Sequence, residues 1–198
     1  MAEAIGLFEA IYTTRSIRRF KPKPIPDDVL RMVLEAALQA PSGANRQPWT
    51  WLVVRSPERK KRLHDLLIEG HEKQRAEAEA AGRSVPPTTY LEDLAHIGAV
   101  VLVCAPAGGN PQSTTFPAVQ NLLLAARAFG LGGNITMGYR QNEAAINQEF
   151  GIPEDQTIAA LVPLGYPTGT NGERHGKKTR KALEEVAFED RWGQAITA

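Results

Sequence analysis

The chain has 198 residues, 42% of them hydrophobic, and a formal charge of +1 from 23 Lys and Arg against 22 Asp and Glu. That length and apolar content suit one domain with a substantial core, and near-neutrality argues against a general polyanion binder, so no nucleic acid is expected as a partner. No signal-peptide pattern opens the chain and no apolar run approaches the ~20 residues of a membrane span, so a cytoplasmic protein with no membrane partner is expected.

Taken in order, residues 13–20, Thr-Thr-Arg-Ser-Ile-Arg-Arg-Phe, come first. In extended backbone Arg18 shares a side with Ser16, whereas Arg15, Ile17 and Arg19 take the other. At least two guanidinium groups can then serve different ends of one ligand, or one ligand and one structural carboxylate, because their fixed donor forks match phosphate and planar anionic groups. A solvated basic strand is the other reading of the same run. Pro26-Asp27-Asp28 opens a helix with Val29, Leu30, Val33, Leu34, Ala37 and Leu38 at helical spacing, and Pro41 closes it. Pro41-Ser42-Gly43-Ala44-Asn45-Arg46-Gln47-Pro48 links this helix to a strand at Trp49 to Val54. Small residues there let backbone approach a flat ligand, and Asn45 and Gln47 offer donors and acceptors, although Pro-Ser-Gly-Ala is also an ordinary loop.

Pro57 to about Ala81 reads as a long charged helix, followed by a breaker-rich loop at 82–87. Ala99 to Ala105 is a buried strand holding Cys104, which, being alone, forms no internal disulfide and reads as a packed thiol. From Phe116 to Phe129 the apolar residues run almost all round a helix, as expected of one covered on every side. Strands at Leu131–Met137 and Thr157–Leu164 flank a short helix at Asn142–Phe150. From Tyr166 the chain reads as an extended arm whose Phe188 and Trp192 need something to pack on, a partner subunit being one candidate.

Charge is uneven along the chain. Residues 15–23 and 174–181 hold ten of the 23 Lys and Arg, leaving 13 basic against 22 acidic residues elsewhere, a balance of −9. Local excess of this kind suggests a focused anion site. Other chemistries find no support. His64 and His71 lie two helical turns apart, roughly 10 Å, too far for one mononuclear metal site. Neither a nucleophile elbow nor a Walker-type loop occurs, and Gly130-Leu131-Gly132-Gly133 follows a helix instead of opening one after a strand.

Arg-Ser-Ile-Arg-Arg-Phe, a helix after Pro-Ile-Pro, and then Ala-Pro-Ser-Gly-Ala-Asn-Arg-Gln-Pro-Trp with a strand behind it resemble the FMN-dependent nitroreductase family. Gln120-Asn121-Leu122-Leu123-Leu124-Ala125-Ala126 before Gly130-Leu131-Gly132 is similar to that family's central helix, and Lys177-Lys178-Thr179-Arg180 to its closing phosphate clamp. The resemblance runs from about residue 8 to 193. It implies an α+β fold, a central, mainly antiparallel sheet flanked by helices, in a single domain over 1–198 whose arm from about 166 is exchanged in a homodimer.

For the site, the resemblance implies FMN held by Arg15 and Ser16 on the phosphate side, with Arg18 at the pyrimidine edge of the ring. A cation there favours the reduced, negatively charged state. It further implies that Pro41, Ser42 and Gly43 pack on the ring, that Asn45 contacts it, that a backbone amide at Met137 or Gly138 faces the redox nitrogen, and that Lys178 and Arg180 return to the phosphate. Met137 stands where some relatives carry an acidic residue, so a contact there is a main-chain one, and the segment 71–93 shows no assignable motif. The implied activity is transfer of reducing equivalents from NADPH or NADH to an electron-poor small molecule by a ping-pong route, with no metal and no protein nucleophile. Reductive dehalogenation, flavin fragmentation and a non-catalytic flavin-binding module are the alternatives.

Overall fold

The computed structural model describes residues 5–85, 94–170 and 174–196, so residues 86–93 of the 71–93 segment and part of the expected 82–87 loop lie outside the described residues. The sheet is built around β2 (Ala99–Pro106), whose residues 99–105 are all buried. A strand with no polar alternation needs cover on both faces. β1 (Thr50–Val54) pairs antiparallel with it on one side and β4 (Gln156–Gly165) on the other, and the short β3 (Gly132–Gly133) extends the sheet past β4, giving the order β1-β2-β4-β3.

Period-2 alternation divides the core in two. Val100, Leu102 and Cys104 join Leu63, Leu66 and Leu67 of α3 (Pro57–Ala80) on one face. Ala99, Val101 and Val103 meet α2 (Asp27–Ala37) and α4 (Pro111–Ala128) on the other. Parity in β4 changes partway along, since Ile158 faces α3 while Ala160 and Val162 face α4. The register explains it: Val103 opposes Ala160 but Cys104 opposes Ile158, so Ala159 is an extra residue, a bulge that turns the strand over. Each fully buried Leu or Val of this core stabilises the fold by about 1.5–3 kcal/mol relative to exposure.

The helices follow their expected faces. α2 starts on Asp27 and Asp28, which suit the positive end of a helix, and buries Leu30, Val33 and Ala37. Ser56 caps α3 by accepting from the Arg59 N–H at 3.2 Å, with Pro57 at the first helical position. α4 begins at Pro111, earlier than the apolar pattern from Phe116 implies, because Asn110 Oδ1 accepts from the Ser113 N–H at 3.2 Å and Pro117 is tolerated inside the helix.

Three further features depart from the sequence reading. A short α1 (Leu7–Thr13) precedes the arginine run. A 3-10 turn at Gly138–Asn142 leads into α5 (Glu143–Phe150). The strand expected over Leu131–Met137 shrinks to Gly132–Gly133, with a lone bridge from Thr136 to Leu161. Both pieces keep one register, so Asn134 falls opposite Pro163, where the hydrogen-bonded pair lacks its N–H and the ladder breaks. Among the described residues, no helix is long and apolar enough to cross a membrane.

Candidate functional site

The free edge of β3 holds the arginine run in place. Ile17, fully buried, donates its N–H to the Gly133 carbonyl at 3.0 Å, and Lys21 donates to Tyr166 at 2.8 Å. Two glycines make this approach possible. A Cβ on Gly132 would stand 2.5 Å from the Ile17 side chain, and one on Gly133 would stand 2.6 Å from the Pro163 carbonyl oxygen. Because the run is bridged at single residues, Ser16 to Gly133 and Phe20 to Pro167, it is not a regular strand. Ser16 and Arg18 share the cavity while Ile17 fills the core, as the alternation implies, but Arg15, expected on the side of Ile17, lines the cavity as well.

The C-terminal arm reaches the same place. His175 donates from Nε2 to the Leu131 carbonyl at 2.8 Å, and the Gly176 N–H donates to Thr13 at 2.9 Å, which ties the arm across α1 and the start of β3. Burial, with Arg127 adding to it, holds the His175 imidazole below the usual histidine range, while the Leu131 and Thr13 backbone contacts oppose that shift. Beyond this tie Lys178 and Arg180 complete a cavity of about 530 Å³ with Arg15, Ser16 and Arg18, and α4 supplies Gln120 and Leu123. Among the described residues, no carboxylate pairs with Arg15, Lys178 or Arg180. Cations brought together without counter-charges leave an uncompensated positive field, which an anion of two charges would neutralise.

The remaining expected residues lie elsewhere in the chain. Pro41, Ser42, Gly43 and Asn45 do not line this cavity. They form an outward loop in which Ser42 Oγ accepts from the Gln47 N–H at 2.9 Å, and Ala44, Asn45 and Gln47 all have positive φ. Left-handed backbone at non-glycine residues costs free energy and marks functional loops more often than spacers. Gly43 itself is not one of the left-handed residues. Ala40 and Trp49, at the two ends of this loop, pack on Ala118 of α4. Gln120 and Leu123 lie two and five residues further along that helix, about 3 to 8 Å of axis.

Met137 and Gly138 also stand outside the cavity. The Gly138 N–H donates to Thr136 Oγ1 at 3.3 Å, and Met137 packs into the core face covered by α3. Sequence reasoning missed Thr14, Gln120, Leu123, Gly133 and Ile135 as lining residues. The paired glycines were the signal available, since a strand edge without side chains invites another segment to lie against it.

Residues 11–166 match the Nitroreductase family. The chain belongs to the nitroreductase family. Membership places it among oxidoreductases, and the match covers the arginine run, α2, the loop after it, the whole sheet and α4. This family member is 33% identical to the NADH dehydrogenase of Thermus thermophilus over 199 residues, covering 88% of this chain and 91% of that protein. It is 23% identical to iodotyrosine deiodinase of Nematostella vectensis, covering 90% of this chain and 73% of that one. Its fold matches the crystal structure of a mutant of NfnB, an FMN and NADPH-dependent nitroreductase from Sphigopyxis sp. strain HMH, with a TM-score of 0.78 at 20% identity over 95% of this chain and all of the other.

Proposed function

We propose that this nitroreductase-family protein is an FMN-dependent oxidoreductase, a single domain over 1–198, that carries reducing equivalents from NADPH or NADH to an electron-poor small molecule such as a nitroaromatic or a quinone. The observation that carries this reading is the meeting of Arg15, Lys178 and Arg180, without carboxylate partners among the described residues, in one cavity beside Ser16. When bound, FMN supplies the hydride chemistry. Arg15, Lys178, Arg180 and the Ser16 hydroxyl hold its terminal phosphate as a dianion, which also selects FMN over FAD because an adenylate extension would have to pass between these cations. Arg18, exposed at the rim, serves the pyrimidine edge, where negative charge grows on reduction.

The ring pocket is completed by Pro41, Ser42, Gly43 and Asn45 and by the backbone at Met137 and Gly138. None of these lines the Arg15 cavity within one chain, which is compatible with a second copy supplying part of the pocket in a homodimer, the form proposed here. Exposed apolar residues support that assembly: Leu7, Phe8, Ile11 and Tyr12 on α1, and Leu183, Val186 and Trp192 on the arm. The protein's own contribution is binding, orientation and exclusion of water from the ring. The bound flavin would supply the redox chemistry for donor and acceptor alike, so no protein nucleophile would be required.

Purified protein should be yellow, with absorbance near roughly 450 nm that NADPH bleaches without oxygen and a nitroaromatic or quinone restores. Colourless protein that takes up no FMN would refute the cofactor. A coloured form that NADPH does not bleach would leave a flavin-binding module without turnover. Reductive dehalogenation is the second reading, favoured by the similarity to the Nematostella deiodinase. Halide release from a halogenated phenol, faster than reduction of any nitroaromatic or quinone, would select it.

A further inference from the structure

We infer that the cleft at the head of α3 is a second anion site, which takes the phosphate group of a small phosphorylated metabolite. The cleft has a volume of about 480 Å³, and its walls include Pro22, Pro24, Arg55, Lys60, His96 and Ile97. It shares no residue with the Arg15 cavity, and it lies beside β1, at the sheet edge away from β3.

Lys60 is the residue that needs explaining. It is only 6% exposed, and its ammonium donates to the Ile97 carbonyl, which uses one of three donors. Buried lysines are almost always paired with a carboxylate, and among the described residues none pairs with this one. Arg55 brings a second cation to the cleft, where it donates to Asp27 at 2.6 Å and to the Ile25 carbonyl at 3.0 Å. Burial first, and Arg55 second, hold the Lys60 ammonium below the usual lysine range. The N-terminus of α3, capped by Ser56, adds its own positive end to the same cleft. An oxyanion beside Lys60 satisfies its remaining donors and offsets its charge, while Pro22, Pro24 and Ile97 give an organic group apolar walls. The volume exceeds what inorganic phosphate alone would fill.

The test uses FMN-loaded protein, so that the Arg15 cavity is occupied, titrated with inorganic phosphate and with phenyl phosphate by calorimetry and phosphorus NMR. Both should saturate, phenyl phosphate at lower concentration, with the flavin spectrum unchanged. Lys60→Met should weaken both by about tenfold or more, the loss expected for one charged hydrogen bond. Should that variant not fold, Arg55→Gln carries the same expectation. Absence of saturation, or affinity unchanged in the variant, would show that Lys60 only caps the Ile97 carbonyl, and inorganic phosphate binding as tightly as phenyl phosphate would remove the metabolite. Protein that takes up no FMN is tested in an Arg15→Ala background, so failure of the flavin reading leaves this result independent.

Discussion

Cys104 is 3% exposed beneath α3, and burial, with the Glu143 carboxylate adding to it, pushes its thiol up to about 11. The folded state therefore holds this proton more tightly than the unfolded chain does. The stabilisation is fully present below the unfolded value near 9 and is lost as pH rises through about 11. Urea midpoints measured across that range should fall with pH in the native protein and fall less in Cys104→Ala, the difference reaching about 2–3 kcal/mol. Thiol reagents should react at neutral pH only after unfolding. Arg18 offers a contrast, because it is exposed and the role proposed for it is at the bound cofactor. Arg18→Ala should lower the FMN midpoint potential by about 30 mV, equivalent to ~1.4 kcal/mol, with phosphate-side affinity largely kept. An unchanged potential in spectroelectrochemical titration would take Arg18 off the ring.

At the scale of elements, the β3 edge is the place where a single methyl group matters most. Gly133→Ala would put its Cβ against the Pro163 carbonyl, a backbone atom that cannot swing aside, and would loosen the Ile17 hydrogen bond. A loss of about 1–3 kcal/mol, roughly 3–10 °C in Tm, should appear in thermal unfolding together with weaker FMN retention, since Arg15 and Ser16 hang from that edge. Elements with a buried face were readable in the sequence. α2 showed its 3.6-residue period, and β2 and β4 showed continuous apolar runs, because burial imposes those patterns. What failed was what composition does not encode. α1 is seven residues long with most apolar residues exposed, and β3 stops where Pro163, thirty residues away in sequence, withholds an N–H. In the site, Arg15, Arg18, Lys178 and Arg180 were readable because clustered charge stands out from an acidic chain. Gln120 was hidden inside an apolar helix, and the left-handed backbone at Ala44 and Gln47 has no signature in residue type.

At the scale of the whole molecule, the proposed homodimer would make the arm a link between assembly and cofactor. Lys178 and Arg180 line the cavity, while Leu183, Val186 and Trp192 further along remain exposed. Deleting the residues after Arg174 should abolish the homodimer and FMN binding together, as read by sedimentation and by fluorescence quenching. A truncated protein that stays dimeric and keeps FMN at native affinity would return the arm to the solvated surface. Of the three tryptophans, Trp49 is buried, Trp51 is half-buried, and Trp192 is 91% exposed, its ring 5.2 Å from that of Phe188. In the proposed homodimer Trp192 would serve as an optical gauge of association. On dilution below the dimer dissociation constant, the emission of Trp192 should shift to the red as its indole meets water, and Trp192→Phe should silence that shift while leaving the light from the core unchanged.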